Sequence, residues 1–126
     1  METGILCIDD DHLFCEAIAS ALRDAGYRAH TAGTVGDGLA LLDSADLVIV
    51  DLNLQGLPGD SVIRAIREVR TMPVILTSGA SPDEGRAIAR SCGAQHFLPK
   101  PFDLDELLRV VRTLLAEARA HRASVN

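Results

Sequence analysis

The chain has 126 residues, with 12 Lys+Arg against 18 Asp+Glu, a formal net charge of −6. Its apolar fraction of 48% and charged fraction of 24% are those of a globule of one domain, which excludes disorder as its main state. No apolar run approaches the ~18 residues of a membrane span, and the net acidity speaks against nucleic acid as a direct partner. Met1-Glu2-Thr3 leads directly into an apolar run, so no signal peptide and a cytoplasmic location are expected.

Short apolar runs alternate with segments of helical period. Ile5–Ile8 is the first run and ends in Asp9-Asp10-Asp11. A helix follows on Phe14, Ile18, Ala21, Leu22 and Ala25, stopped by Gly26. Tyr27–Thr31 is a weaker strand, and Val35, Leu39 and Leu42 mark a second helix weakened by Gly36 and Gly38. Asp46–Val50 is the next strand and ends at Asp51; Val62, Ile63 and Ile66 mark the third helix. Pro73–Thr77 is the fourth strand, followed by Ser78 and Gly79. Ser81-Pro82-Asp83-Glu84 then forms an N-cap, an N1 proline and a capping-box glutamate opening a helix through Ala87, Ile88 and Ser91 to Gly93. His96-Phe97-Leu98 is a short fifth strand. Asp103 caps a last helix with Leu107, Leu108, Val111, Leu114 and Leu115 as its buried stripe.

Continuous Val/Ile/Leu runs suit strands buried on both faces, and βα alternation implies a parallel sheet with helices on both sides. The expected architecture is one α/β domain over 1–118 and a tail over 119–126, fraying after Glu117, with no output domain. Cys7, Cys15 and Cys92 lack metal-ligand or C-x-x-C spacing and read as reduced thiols.

In such a sheet ligands bind beyond the carboxyl ends of the strands, where the strand order reverses. This chain places Asp9, Asp10, Asp51, Ser78 and Lys100 at its strand ends. Asp11 suits the cap of the first helix, but Asp9, Asp10 and Asp51 cannot all be caps. Two like charges 4 Å apart repel by about 4 kcal/mol at an effective dielectric of 20. A cluster of this kind is either an accidental acidic rim or the seat of a cation, and an oxygen-only ligand set favours Mg²⁺ over Zn²⁺. With a divalent cation, the lone lysine Lys100 and the Ser78 hydroxyl around one aspartate, the constellation suits phosphoryl transfer to a carboxylate, with Gly79 leaving room.

Asp9-Asp10, Asp51 within Val-Asp-Leu-Asn-Leu-Gln-Gly-Leu-Pro-Gly, Pro-Val-Ile-Leu-Thr-Ser-Gly and Phe-Leu-Pro-Lys-Pro-Phe together resemble the receiver domain of bacterial two-component response regulators, similar to single-domain chemotaxis-type regulators. The resemblance spans about residues 4–116. It implies a flavodoxin-like doubly wound (βα)5 sandwich of strand order 2-1-3-4-5. It also implies a signalling role, not a turnover enzyme: Asp51 takes a phosphoryl group from a histidine kinase or histidine phosphotransfer protein. Asp10 and Asp51 match direct Mg²⁺ ligands, Asp9 a ligand acting largely through water, and the Asn53 backbone carbonyl a third protein ligand. Ser78 matches the switch hydroxyl, Phe97 the aromatic switch and Lys100 the phosphoryl contact, with a cis bond to Pro101; Thr77 should face the core.

In the family's mechanism phosphorylation draws Ser78 in and turns Phe97 inward. The face of helix four, strand five and helix five then changes its preference for a downstream target, an output domain or a second copy. Arg86, Arg90, Arg109 and Arg112 are on or near that face, or simply solvated. Gln55, where proline is more usual, and Ala80, where a polar side chain is common, depart from the family pattern.

Two other readings stand beside this one. A small Mg²⁺-dependent phosphatase of the haloacid-dehalogenase type would use Asp9 as nucleophile in Asp9-Asp10-Asp11, although Leu13 stands where that family has Thr or Val. A degenerate receiver would serve only as a binding module.

Overall fold

The structure, a computed structural model, describes residues 3–52, 54, 59–79 and 81–124. Five parallel strands, β1 (Gly4–Ile8), β2 (Arg28–Ala32), β3 (Leu47–Asp51), β4 (Val74–Ser78) and β5 (His96–Pro99), lie in the order β2-β1-β3-β4-β5. Between and after them run α1 (His12–Asp24), α2 (Val35–Ala40), α3 (Gly59–Val69), α4 (Pro82–Cys92) and α5 (Leu104–Ser124). This is the doubly wound sandwich that the βα alternation implies. Each strand sits within a residue or so of its apolar run.

The strands separate two cores because successive side chains point to opposite faces. Leu6, Ile8, Val48, Val50, Val74, Leu76 and Phe97 face one core, with Val62, Ile63 and Ile66 of α3 and Ala89 of α4. Ile5, Cys7, Leu47, Ile49, Ile75 and Leu98 face the other, with Cys15, Ile18 and Leu22 of α1 and Leu107, Val111 and Leu114 of α5. Gly38 lets α2 lie directly on β1: a Cβ there would stand 2.5 Å from Ile8 Cδ1.

Local chemistry sets the helix ends. Asp11 caps α1 by accepting from Phe14 N at 3.1 Å. Ser81 accepts from Glu84 N ahead of Pro82, and Gly93 closes α4 in the left-handed region at φ 81°. The tail differs from expectation, since α5 stays helical to Ser124. Its last turns lack an apolar stripe but carry Ala, Glu and Arg, which form helix well, and Arg119 Nη2 donates to Thr3 Oγ1 at 3.0 Å. On α4 the buried positions are Gly85 and Ala89, with Ile88 partly covered, while Ala87 and Ser91 face solvent.

Candidate functional site

Parallel register brings the carboxyl ends of the strands to one edge. Ile8 lies beside Val50, Asp51 beside Thr77, and Ser78 beside Pro99. Asp9, Asp51, Ser78 and Lys100 therefore converge where the strand order reverses between β1 and β3, although Asp9 and Lys100 are far apart in sequence. One carboxylate oxygen from each of Asp9, Asp10 and Asp51 falls within 4.8 Å of the others. Asp9 and Asp51 are buried and Asp10 is exposed, so the cluster opens to solvent on the Asp10 side.

The loop after β1 holds Asp9 firmly. Its N–H donates to Ala32 O at 3.0 Å, its Oδ1 accepts from Asp11 N at 2.9 Å, and its Oδ2 accepts from Lys100 Nζ at 2.8 Å. The same ammonium stands 3.8 Å from Asp51 Oδ1. Burial of the Lys100 ammonium disfavours its charge. The hydrogen bond to Asp9 and the carboxylates of Asp51 and Asp11 outweigh that penalty and lift its pKa above the ordinary 10.5. Lys100 is thus a positive charge against an acidic cluster, its backbone held by the hydrogen bond from its own N–H to Ser78 O at 2.7 Å.

On β4, Thr77 Oγ1 donates to Val50 O at 3.4 Å from within the core, while Ser78 is fully buried at the strand end beside Asp51's strand. Phe97 is only 6% exposed, and its ring lies against Gly85 of α4. Asn53, Gln55 and Ala80 lie outside the described residues.

The donor set suits a hard divalent cation: three carboxylates, no nitrogen or sulfur ligand among them, two buried and one at the mouth. Three anions around one ammonium leave a net negative pocket, which is the electrostatic condition for such an ion.

Two contributors escape a reading of the sequence. Phe14, a member of the helical stripe, stands at the rim with its ring centroid 4.2 Å from Lys100 Nζ. Gly85 has no side chain to register in any periodicity, yet the Phe97 ring depends on its lack of one.

Residues 5–112 match the family model described as the response regulator receiver domain. Over 124 residues the chain is 28% identical to the cell cycle transcriptional regulator CtrA of Caulobacter vibrioides, covering 96% of this chain and 54% of that protein. The chain spans about half the length of the curated relatives it matches. Among solved structures, a CheY-like response regulator receiver domain protein from Methanospirillum hungatei superposes with a TM-score of 0.87 at 25% identity, covering 96% of this chain and 99% of that one. A response regulator from Burkholderia pseudomallei, solved with a phosphorylated aspartic acid, a calcium ion and citrate, superposes with a TM-score of 0.78 at 26% identity, covering 99% of this chain and 75% of that one. The chain belongs to the response regulator receiver domain family.

Proposed function

We propose that Asp51 accepts a phosphoryl group from a histidine kinase or histidine phosphotransfer protein, and that the resulting charge changes which partner the domain prefers. The observation that carries this reading is the gathering of the Asp9, Asp10 and Asp51 oxygens within 4.8 Å, with Lys100 Nζ 2.8 Å from Asp9 and 3.8 Å from Asp51. In the transfer, a carboxylate oxygen of Asp51 forms the new P–O bond as the bond from phosphorus to the donor nitrogen breaks. Asp9, Asp10 and Asp51, joined by the Asn53 carbonyl, would hold Mg²⁺; when bound, it neutralises charge on the transferring phosphoryl oxygens. Lys100 supplies an ammonium to a second oxygen and the Ser78 hydroxyl donates to a third.

The switch follows from the same residues. Drawing Ser78 towards the phosphoryl group favours the inward seat of Phe97 beside Gly85, a population shift and not a new fold. The outer face of α4 and β5 carries a groove lined by Arg86, Arg90, His96 and Phe97. It is the surface we assign to a downstream protein target, an output domain or a second copy. The domain is read as cytoplasmic. No helix among the described residues is long and apolar enough to cross a membrane.

A response regulator of this fold from Burkholderia pseudomallei was solved with a phosphorylated aspartic acid and a calcium ion, which supports a phosphoacceptor reading. The phosphatase reading with Asp9 as nucleophile is disfavoured by the family match. Incubation with acetyl phosphate tests the proposal. A gain of one phosphoryl group that requires Mg²⁺ and is abolished by chelation is expected. Labelling that is indifferent to divalent cation, or no labelling at all, would count against it and revive the binding-module reading.

A further inference from the structure

We propose that Phe14 is a positioning residue for Lys100: its ring face forms a seat that holds the ammonium over the acidic cluster. This inference rests on the phosphoacceptor reading only for its consequence, not for its geometry.

A lysine is poorly suited to hold one position, because four rotatable bonds separate Nζ from the backbone and fixing them costs entropy. Here the ammonium is confined from two sides. The carboxylates of Asp9 and Asp51 lie at 2.8 and 3.8 Å, and the Phe14 ring centroid lies at 4.2 Å, well inside the reach of a cation–π contact. The Phe14 ring is itself held. Phe102, just beyond the cis Lys100-Pro101 bond, meets it edge to face with centroids 5.8 Å apart and planes at 87°. Phe14 comes from the first turn of α1, immediately after the loop bearing Asp9, Asp10 and Asp11, so the ring and the carboxylates are set by one short segment.

The seat has a direction. The carboxylates of Asp9 and Asp51 fix Nζ only on the side that faces them. The Phe14 ring face adds a second contact, which with the two carboxylates restricts where Nζ can sit. Asp51 is the group whose transferred phosphoryl oxygen the ammonium is to meet. An aliphatic side chain of similar bulk would fill the same volume without the quadrupole, so packing and seating make different predictions.

Because Lys100 is the only lysine in the chain, selective ¹³C-lysine labelling yields a single side-chain methylene signal next to Nζ. In the metal-free protein that signal is expected to be shifted upfield by the ring current of Phe14. It should stay shifted in Phe14→Tyr and Phe14→Trp and return to the ordinary lysine position in Phe14→Leu. An unshifted signal in the unsubstituted protein, in which Phe14 is intact, overturns the proposal whatever the variants do. The second readout is the rate of acetyl phosphate labelling. Phe14→Leu should lower the second-order rate constant of labelling by between about two- and thirtyfold, the range a cation–π contact spans, and Phe14→Tyr or Phe14→Trp should restore it. Equal rates for Phe14→Leu and the unsubstituted protein overturn the seat as a contributor. No labelling of the unsubstituted protein, with the ring-current shift present, refutes the phosphoacceptor reading and leaves the seat standing. A Phe14→Leu variant that melts early does not remove the test, since the shift in the unsubstituted protein and the two aromatic variants decide it.

Discussion

The Phe97 ring occupies the space that a side chain at Gly85 would fill. A Cβ built at Gly85 collides with the tip of the ring, and Phe97 is only 6% exposed in that position. The inward seat of the Phe97 ring therefore depends on a missing methyl group on the neighbouring helix.

Gly85→Ala should expel or tilt the ring. Overpacking of this kind costs about 1–3 kcal/mol, against which alanine returns about 1 kcal/mol of helix propensity. Urea unfolding should show a lower midpoint for Gly85→Ala alone. In a Phe97→Ala background the same substitution should be neutral or stabilising, because the clash is gone. Equal effects in both backgrounds would mean that the two residues are not coupled.

Repulsion within the acidic cluster should be visible as stability. With chelator present, Asp10→Asn is expected to raise the melting temperature, since it removes one of three carboxylates held within 4.8 Å. Mg²⁺ should raise the melting temperature of the unsubstituted protein, by an amount equivalent to about 2.7 kcal/mol at a hundredfold excess over its dissociation constant. Asp10→Asn should lose most of that gain. A variant that melts lower without metal and gains as much from Mg²⁺ would contradict the cluster's role.

The pKa of Lys100 is raised on folding, and the sign of its pH dependence follows. A raised base contributes stability that is complete below its ordinary value of 10.5 and is lost as pH climbs through the higher folded value. In chelator, the gap in melting temperature between the unsubstituted protein and Lys100→Gln should be constant from neutrality to about pH 10 and narrow above 10.5. A gap that widens in that alkaline window would reverse the assignment.

Cys7 and Cys15 are 1% and 2% exposed with their sulfurs 3.8 Å apart, whereas Cys92 is only partly covered. Contact with the Cys15 thiol, and burial, push the Cys7 thiol above its ordinary range. Brief iodoacetamide treatment followed by peptide mass mapping should find Cys92 alkylated first. Cys7 and Cys15 should react only once the fold is opened.

The strand ends were legible because each is an uninterrupted apolar run followed at once by Asp9, Asp51, Ser78 or, beyond Pro99, Lys100, and because βα alternation dictates that those ends share one edge. What was not legible depends on contacts distant in sequence. Arg67 donates to the carbonyls of Met72 and Gly93 and to Gln95 Oε1, and Arg70 to those of Leu42 and Ala45. Nothing in an arginine's sequence neighbours marks it as a brace for backbone carbonyls rather than a solvated surface charge. The buried face of α4 is hard to read for a related reason: it is centred on Gly85, and a glycine carries no weight in a periodicity even where its emptiness seats a ring. Phe14 falls in the helical stripe of α1 because a helix pattern cannot tell a side chain that points down from one that stands at the rim.

Which aspartate carries the phosphoryl group can be read directly. After labelling with acetyl phosphate and Mg²⁺, borohydride reduction converts an aspartyl phosphate to homoserine, and peptide sequencing by mass spectrometry locates it. Homoserine at position 51, and none in Asp51→Asn, is the expected result. Homoserine at position 9, or label retained in Asp51→Asn, would rule out Asp51 as the phosphoacceptor.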